Sequence, residues 1–344
     1  MLKWVIIVVF LLGMAQGEVG VGECYNANHK ENVCQYMKQF GKTYNNHSEL
    51  SLRAHQIHST LESNTDGVHF GYTSRSDRFV HELKRNQMLK QNRHVELERP
   101  FVQQHVDMAV PRKLPPIDWR DVNGVSYVSP VRQQDQCGCC FAFAAATVLE
   151  YWSKKHGNPK PLSVQHLMDC TSTEEGPNDA CDGGLMEYVF EYGSKYSVIL
   201  DTDKTYNKVH GQCPHNSMFS HVKVGNWKVI ERSDRPDAEH QLEWLLHAYG
   251  PIAVGVDSTQ WDDYRGGIYK HTMCTNDIDH AVAIVGYTAD AWIVKNSWGR
   301  DWGDDGYIYL ERGHNTCGVV EYVTYVTDAY PLLTRKPSWP VWEL

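Results

Sequence analysis

The stretch VRQQDQCGCCFAF, from Val131 to Phe143, decides how this chain is read. It sets Gln134 and three cysteines, Cys137, Cys139 and Cys140, directly ahead of an alanine-rich segment, FAFAAATVLEYWSKKH. Phe143, Thr147, Val148, Tyr151 and Trp152 share a broad apolar face of that segment, which predicts a helix starting near Cys140. Gly157 and Pro159 end it, and its alanines let neighbours pack close, so a buried central helix is expected. A thiol at a helix start, beside a possible oxyanion donor, is what a sulfur nucleophile needs.

Such a thiol needs partners, because a free cysteine with a pKa near ~8.5 is mostly protonated in an acidic compartment. An imidazole is available in Asp279-His280-Ala281-Val282, at the start of an apolar strand, and an orienting amide in Trp292-Ile293-Val294-Lys295-Asn296-Ser297-Trp298-Gly299. Asn296 can accept a hydrogen bond from the imidazole, and Gln134 can donate to an oxyanion together with the Cys140 backbone N–H. Taken singly these residues read blandly. With 18 histidines in the chain a lone one is usually a surface or packing residue, Asn296 could cap a strand, and Gln134 could sit in a loop.

Their conjunction is specific. The Q-x-x-C-G-x-C-aromatic-A-F pattern from Gln134 to Phe143, followed by His280 and then Asn296 in matching order and spacing, resembles the signature of papain-like cysteine peptidases, cathepsin L-like in detail. Gly299, Trp302-Gly303 and Gly306-Tyr307 also fit, and the likeness covers roughly Pro115 to Tyr325. The resemblance implies an α+β, two-lobe fold with a helical lobe over about 114–220 and an antiparallel, barrel-like β lobe over about 221–328. It assigns nucleophile, base, orienting amide and oxyanion donor to Cys140, His280, Asn296 and Gln134. It pairs Cys137 with Cys181, Cys170 with Cys213 and Cys274 with Cys317, leaving Cys139 and Cys140. Cys181-Asp182-Gly183-Gly184-Leu185-Met186 is similar to the segment that pairs with an extended substrate backbone, and Leu185, Met186, Gly255, Ile278, Ala281 and Tyr322 fall at the S2 pocket, with Trp298 also at the substrate site. Apolar lining implies a hydrophobic P2 residue, with Tyr322 shortening the pocket; Ile278 and Ala281 also read fairly as plain core. No histidine-bearing insertion occludes the cleft, so an endopeptidase is expected, with protein and peptide substrates, cystatin-type inhibitors as partners and no metal or organic cofactor.

Two residues depart from the pattern. Cys139 stands where serine or alanine is usual, and Phe141 where tryptophan is usual. Cys139 reads as a small inert replacement; the sharper alternative is a vicinal disulfide that silences Cys140. A catalytically silenced homologue serving as a binding or structural protein is the rival reading, and a metal site on Cys137, Cys139 and Cys140 is a third, which lacks a second ligand pair.

The flanks read as a precursor. Residues 1–17 carry Lys3, an apolar run from Trp4 to Met14 and Ala15-Gln16-Gly17, a secretory signal too short to span a bilayer. The ten cysteines then suit an oxidising compartment, lysosomal or extracellular, and the early pair Cys24 and Cys34 is a further candidate bridge. Residues 18–113 are read as an inhibitory propeptide, largely helical, with a helix from Ser48 to Ser63. Glu49, Arg53 and Ile57 are similar to the long helix of papain-family propeptides; Thr60 and Asn64 depart from it. Gly71 and Asp77 have the spacing of a second propeptide motif whose middle is filled by Thr73 and Arg75. Asn46 heads an N-glycosylation sequon, Arg112 and Lys113 form a basic junction, and residues 329–344 read as a C-terminal extension. A net charge of -9 with no continuous basic surface excludes nucleic acid as a partner.

Overall fold

The structure, a computed structural model, describes residues 18–26, 31–60, 63–79, 82, 114–173, 176–214, 221–231, 237–275 and 277–332. The expected signal segment, the junction at Arg112 and Lys113, and residues 333–344 of the expected extension lie outside them. The chain divides into two units, residues 1–60 and 61–344.

In the first unit α1 (Val21–Asn26), α2 (Glu31–Phe40) and α3 (His47–Ser59) bury Val33, Tyr36, Met37, Leu50 and Ile57, and the Cys24–Cys34 disulfide joins α1 to α2. Asn46 sets the start of α3. Its side-chain oxygen accepts from the Glu49 N–H of the first turn at 2.9 Å, while the Glu49 carboxylate reaches back to the Asn45 N–H, just outside the helix, at 3.0 Å. Glu49 also pairs with Arg53 at 3.1 Å.

The helix stops at Ser59, short of the predicted Ser63, which instead opens a strand. The physical reason is the Asp66-Gly67 pair, left-handed at both positions (φ 51° and 77°), which closes a tight hairpin between β1 (Ser63–Thr65) and β2 (Val68–Phe70). There follow β3 (Ile117–Asp118), α4 (Cys140–Lys155), α5 (Val164–Thr171), α6 (Met186–Lys195), β4 (Val222–Glu231), α7 (Ala238–Tyr249), β5 (Ile252–Val256), β6 (Tyr264–Gly266), β7 (Ile268–Tyr269), β8 (His280–Tyr287), β9 (Ala291–Lys295), β10 (Tyr307–Glu311) and β11 (Tyr322–Pro331).

Helices α4–α6 precede every strand of the main sheet except β3, the segregated order of an α+β fold. The main sheet has the order β4-β11-β5-β8-β9-β10-β7, with β3 paired to β8, and among the described residues this path is open rather than closed into a barrel. All its pairs are antiparallel except β10 with β7. The last strand, β11, runs to Pro331, past the residue where an extension was expected to begin. The β1–β2 hairpin adds to β6, making a second, three-stranded sheet.

The central helix α4 is buried from Cys140 through Ser153, packed against α5 and α6 on one side and β8 and β11 on the other. Periodicity predicts an apolar face, but here every face is covered, which is why even Glu150 is inside. Its carboxylate is held by Arg132 at 2.8 Å, by the Leu162 N–H at 2.9 Å and by the Ser129 hydroxyl, so the buried charge is paired and hydrogen-bonded.

Gly250, which ends α7, carries a testable consequence. Its backbone (φ 85°, ψ -155°) is a region essentially restricted to glycine, and an added Cβ would lie 2.2 Å from the Tyr151 ring on α4. Gly250→Ala is expected to cost about 3 kcal/mol from strain and overpacking together. Urea-unfolding midpoints of the full-length chain measure it, and an unchanged midpoint would refute the packing described.

Candidate active site

Helix α4 begins at Cys140, with Cys139 at its N-cap position making no side-chain capping bond. Cys140 is therefore the first residue of the helix, at its positive end. Neither Cys139 nor Cys140 is in a disulfide, and both are buried. The cysteine pairs Cys137–Cys181, Cys170–Cys213 and Cys274–Cys317 are bonded.

His280 opens β8, the strand packed on α4, and its ring is fully buried. Nε2 lies 2.9 Å from Oδ1 of Asn296. An amide oxygen only accepts, so Nε2 carries the proton and Nδ1, which has no hydrogen-bond partner, keeps its lone pair. Trp298 lies against the imidazole at 5.0 Å between ring centroids, and Trp261 meets it edge-on at 6.5 Å. Burial pushes the His280 pKa down to about 3; the Asn296 bond opposes this and the Arg75 guanidinium adds to it.

Gln134 ties the thiol loop to the asparagine loop. Its backbone N–H donates to the Ser297 carbonyl at 2.8 Å, its Oε1 accepts from the Ser297 hydroxyl at 2.5 Å, and its Nε2 donates to the Cys137 carbonyl at 2.9 Å. The Tyr206 hydroxyl donates to the Gln134 carbonyl at 2.7 Å and lies 3.2 Å from the Cys139 sulfur. Burial pushes the Cys139 thiol up to about 12, the tyrosine contact only partly opposing it. Burial thus disfavours the Cys139 thiolate, which suits the small-replacement reading. Tyr206 had no sequence signal, being one aromatic in a polar loop.

Leu185, Met186, Ala281 and Tyr322 fall in one apolar cluster, with Ile278 packed against it. Gly255 and Ala281 are direct partners across β5 and β8. Burial, and then the neighbouring Glu187 carboxylate, push the Tyr322 hydroxyl well above the ordinary tyrosine range. Asn178, which sequence reading missed, shapes the Gly183–Leu185 segment: its Oδ1 accepts from the Leu185 N–H at 2.8 Å and its Nδ2 donates to the Leu185 carbonyl at 3.3 Å. A Cβ on Gly184 would come within 2.4 Å of that Oδ1, so only glycine fits there. The Gly138 N–H donates to the Cys181 carbonyl at 2.9 Å, linking this segment to the thiol loop.

Residues beyond the β1–β2 hairpin run onto the same site. The Gly71 N–H donates to the Asp263 carbonyl at 2.9 Å, the Thr73 hydroxyl to the Asp262 carbonyl at 2.8 Å, and the Ser76 hydroxyl to the Asp263 carboxylate at 2.7 Å. Arg75 donates from Nε to the Asp262 carboxylate at 2.6 Å, with its guanidinium 3.7 Å over the Trp298 ring. Arg78 then reaches the Asp135 carbonyl, next to Gln134, at 3.3 Å. Thr73 and Arg75, which break the propeptide motif in sequence, are contact residues in the fold.

No described helix is long and apolar enough to cross a membrane. Residues 114–327 match the family model for papain family cysteine proteases. The chain is 37% identical to cathepsin 7 of Mus musculus over 236 residues, 64% of this chain and 68% of that protein. It is 37% identical to procathepsin L of Felis catus over 224 residues, 61% of this chain and 65% of that one. Among solved structures it is similar to digestive procathepsin L 3 of Tenebrio molitor larval midgut, with a TM-score of 0.72 and 25% identity over 87% of this chain and 98% of that chain. Fold and matches together define a cysteine-type peptidase, a hydrolase. The chain belongs to the papain family, as a cathepsin L-like precursor.

The depressed imidazole has a definite linkage sign. Below its unfolded value of 6.5, the unfolded chain binds a proton that folded His280 refuses until about pH 3. Folding stability from this group is therefore lost as pH falls from 6.5 towards 3, at no more than about 1.4 kcal/mol per pH unit. Thermal unfolding of the full-length chain should show a shallower fall over that window in His280→Asn than in the wild type; parallel curves would contradict the assignment.

Proposed function

We propose that the mature enzyme, residues 114–328 with the remainder of β11, hydrolyses internal peptide bonds in proteins with a hydrophobic residue at P2. The observation that carries this reading is the buried His280–Asn296 hydrogen bond at 2.9 Å, on the strand packed against the helix that starts at Cys140. Asn296 holds the imidazole with Nδ1 as acceptor. His280 takes the Cys140 proton, and the resulting imidazolium and the helix N-terminus stabilise the thiolate. The sulfur attacks the scissile carbonyl, and the Gln134 amide and the Cys140 N–H stabilise the oxyanion. His280 delivers its proton to the leaving amine, an acyl-thioester remains, and water activated by His280 hydrolyses it. Leu185, Met186, Gly255, Ile278, Ala281 and Tyr322 receive P2, while Gly183 and Gly184 pair with the substrate backbone.

The precursor is latent because residues 63–79 occupy the His280–Trp298 side of the site, and burial together with the nearby Arg75 charge keeps the imidazole neutral. Protonating His280 beside Arg75 places two cations together, so acid favours release of the propeptide within residues 18–113. An acidic compartment of the secretory pathway, lysosomal or extracellular, fits this behaviour, and Asn46 is the glycosylation site.

The test is alkylation at about pH 5 after acid processing. An ordinary thiol is ionised there to only about one part in 3000, so iodoacetamide should label Cys140 alone, with matching loss of hydrolysis of a fluorogenic peptide carrying a hydrophobic P2 residue. Cys140→Ala should lower kcat/KM at least about a thousand-fold. Silence of the wild type even after reduction would leave a binding protein in place of an enzyme.

A further inference from the structure

Arg75 is a charged side chain only 2% exposed, and burying a guanidinium is costly unless it is paired. Its pairing comes from groups of the peptidase domain. The Asp262 carboxylate lies 2.6 Å from Nε, and the face of Trp298 lies 3.7 Å from the guanidinium carbon. The second carboxylate nearby, Asp263, is taken by the Ser76 hydroxyl. One terminal nitrogen of Arg75, Nη2, is buried without a hydrogen-bond partner, so the pocket reads the flat cation and one N–H rather than the whole fork of this particular side chain.

The position of the pocket gives it a meaning. His280 passes its proton to the leaving amine, so the leaving half of a substrate lies on the imidazole's side of the cleft. Trp298 packs on that imidazole at 5.0 Å, and Asp262 lies beyond it, joined to it through Arg75. The expected P2 residues form a separate cluster with Leu185 and Met186 at the start of α6.

We infer that Asp262 and Trp298 form a subsite for a substrate arginine on the leaving-group side of the scissile bond, which Arg75 fills in the precursor. This rests on the peptidase reading above. An arginine of the substrate takes over the carboxylate and the ring once residues 63–79 depart, whereas a glutamate in the same place faces Asp262 and is disfavoured. The same pocket thus serves latency and specificity.

The experiment uses the acid-processed protein and internally quenched peptides that share a hydrophobic P2 residue. They carry arginine, alanine or glutamate at the first, second or third position after the scissile bond, one position at a time. At one of these positions the wild type is expected to prefer arginine over alanine about tenfold in kcat/KM. In Asp262→Asn the ratio should fall to within about twofold, and in Asp262→Lys glutamate should become the preferred residue. Ratios taken within one enzyme cancel any loss of folded protein. A peptidyl-aminomethylcoumarin with nothing beyond the scissile bond is run alongside. Coumarin release with ratios near one at every position in the wild type overturns the subsite and leaves the peptidase. An arginine preference that survives Asp262→Asn overturns the role of Asp262. No coumarin release from the wild type overturns the peptidase reading, and the subsite with it.

Discussion

The geometry of the site depends on how α4 is held against the sheet, and Lys295 hydrogen-bonds across that junction. Its ammonium donates to the Ser129 hydroxyl at 3.1 Å and to the Thr147 hydroxyl of α4 at 3.2 Å, one residue before Asn296. Burial pushes this lysine down to about 7, while Glu150 opposes the shift and Arg132 adds to it. Glu150 in turn binds Arg132 and the Leu162 N–H. This network pins the end of β9, next to Asn296, to the helix that starts at Cys140. A buried charge of this kind constrains strongly, since removing one partner leaves the others desolvated and unpaired.

Burial does a second thing at the same place. The aromatic wall of Trp261 and Trp298, backed by Trp302, also helps bury His280, and burial disfavours its charge. In the precursor a further cation, Arg75, lies on the outer face of that wall. It is aimed there by strand addition: β2 pairs with β6, and the chain beyond it runs along Asp262 and Asp263. A proton on His280 works against both burial and Arg75, so the precursor state and the charge on the imidazole oppose one another.

Much of this was legible in the sequence where local pattern decides. Gln134, Cys140, His280 and Asn296 stand in short blocks with ordered spacing, and the apolar runs from Cys140, Ile252, Ala281, Trp292 and Tyr307 announced α4, β5, β8, β9 and β10. The Asp66-Gly67 pair was an available hairpin signal, masked by the helical pattern running into it from Ser48. Asn178, Tyr206 and Lys295 carried no such signal. Tyr206 and Lys295 are ordinary polar residues whose roles come from partners far away in the chain, Cys139 and Thr147, while Asn178 acts on Leu185 across a loop whose shape is set by the fold. Thr73 and Arg75 were visible only as departures from a motif, and their meaning lay in Asp262 and Trp298, on the far side of the peptidase sequence.

The sequence by itself determined the central helix, the order of the strands along the chain and the chemical types of the groups that can react, because helix and strand periods and motif spacings are properties of neighbouring residues. Only the tertiary structure decided which polar groups are desolvated together. It placed a lysine and a glutamate inside the helix–sheet junction, buried the imidazole against Trp261 and Trp298 where its charge is disfavoured, and set an arginine of the hairpin region against an aspartate of the peptidase domain. Those outcomes follow from burial and from the distance between charges, quantities that exist only once the chain has closed on itself.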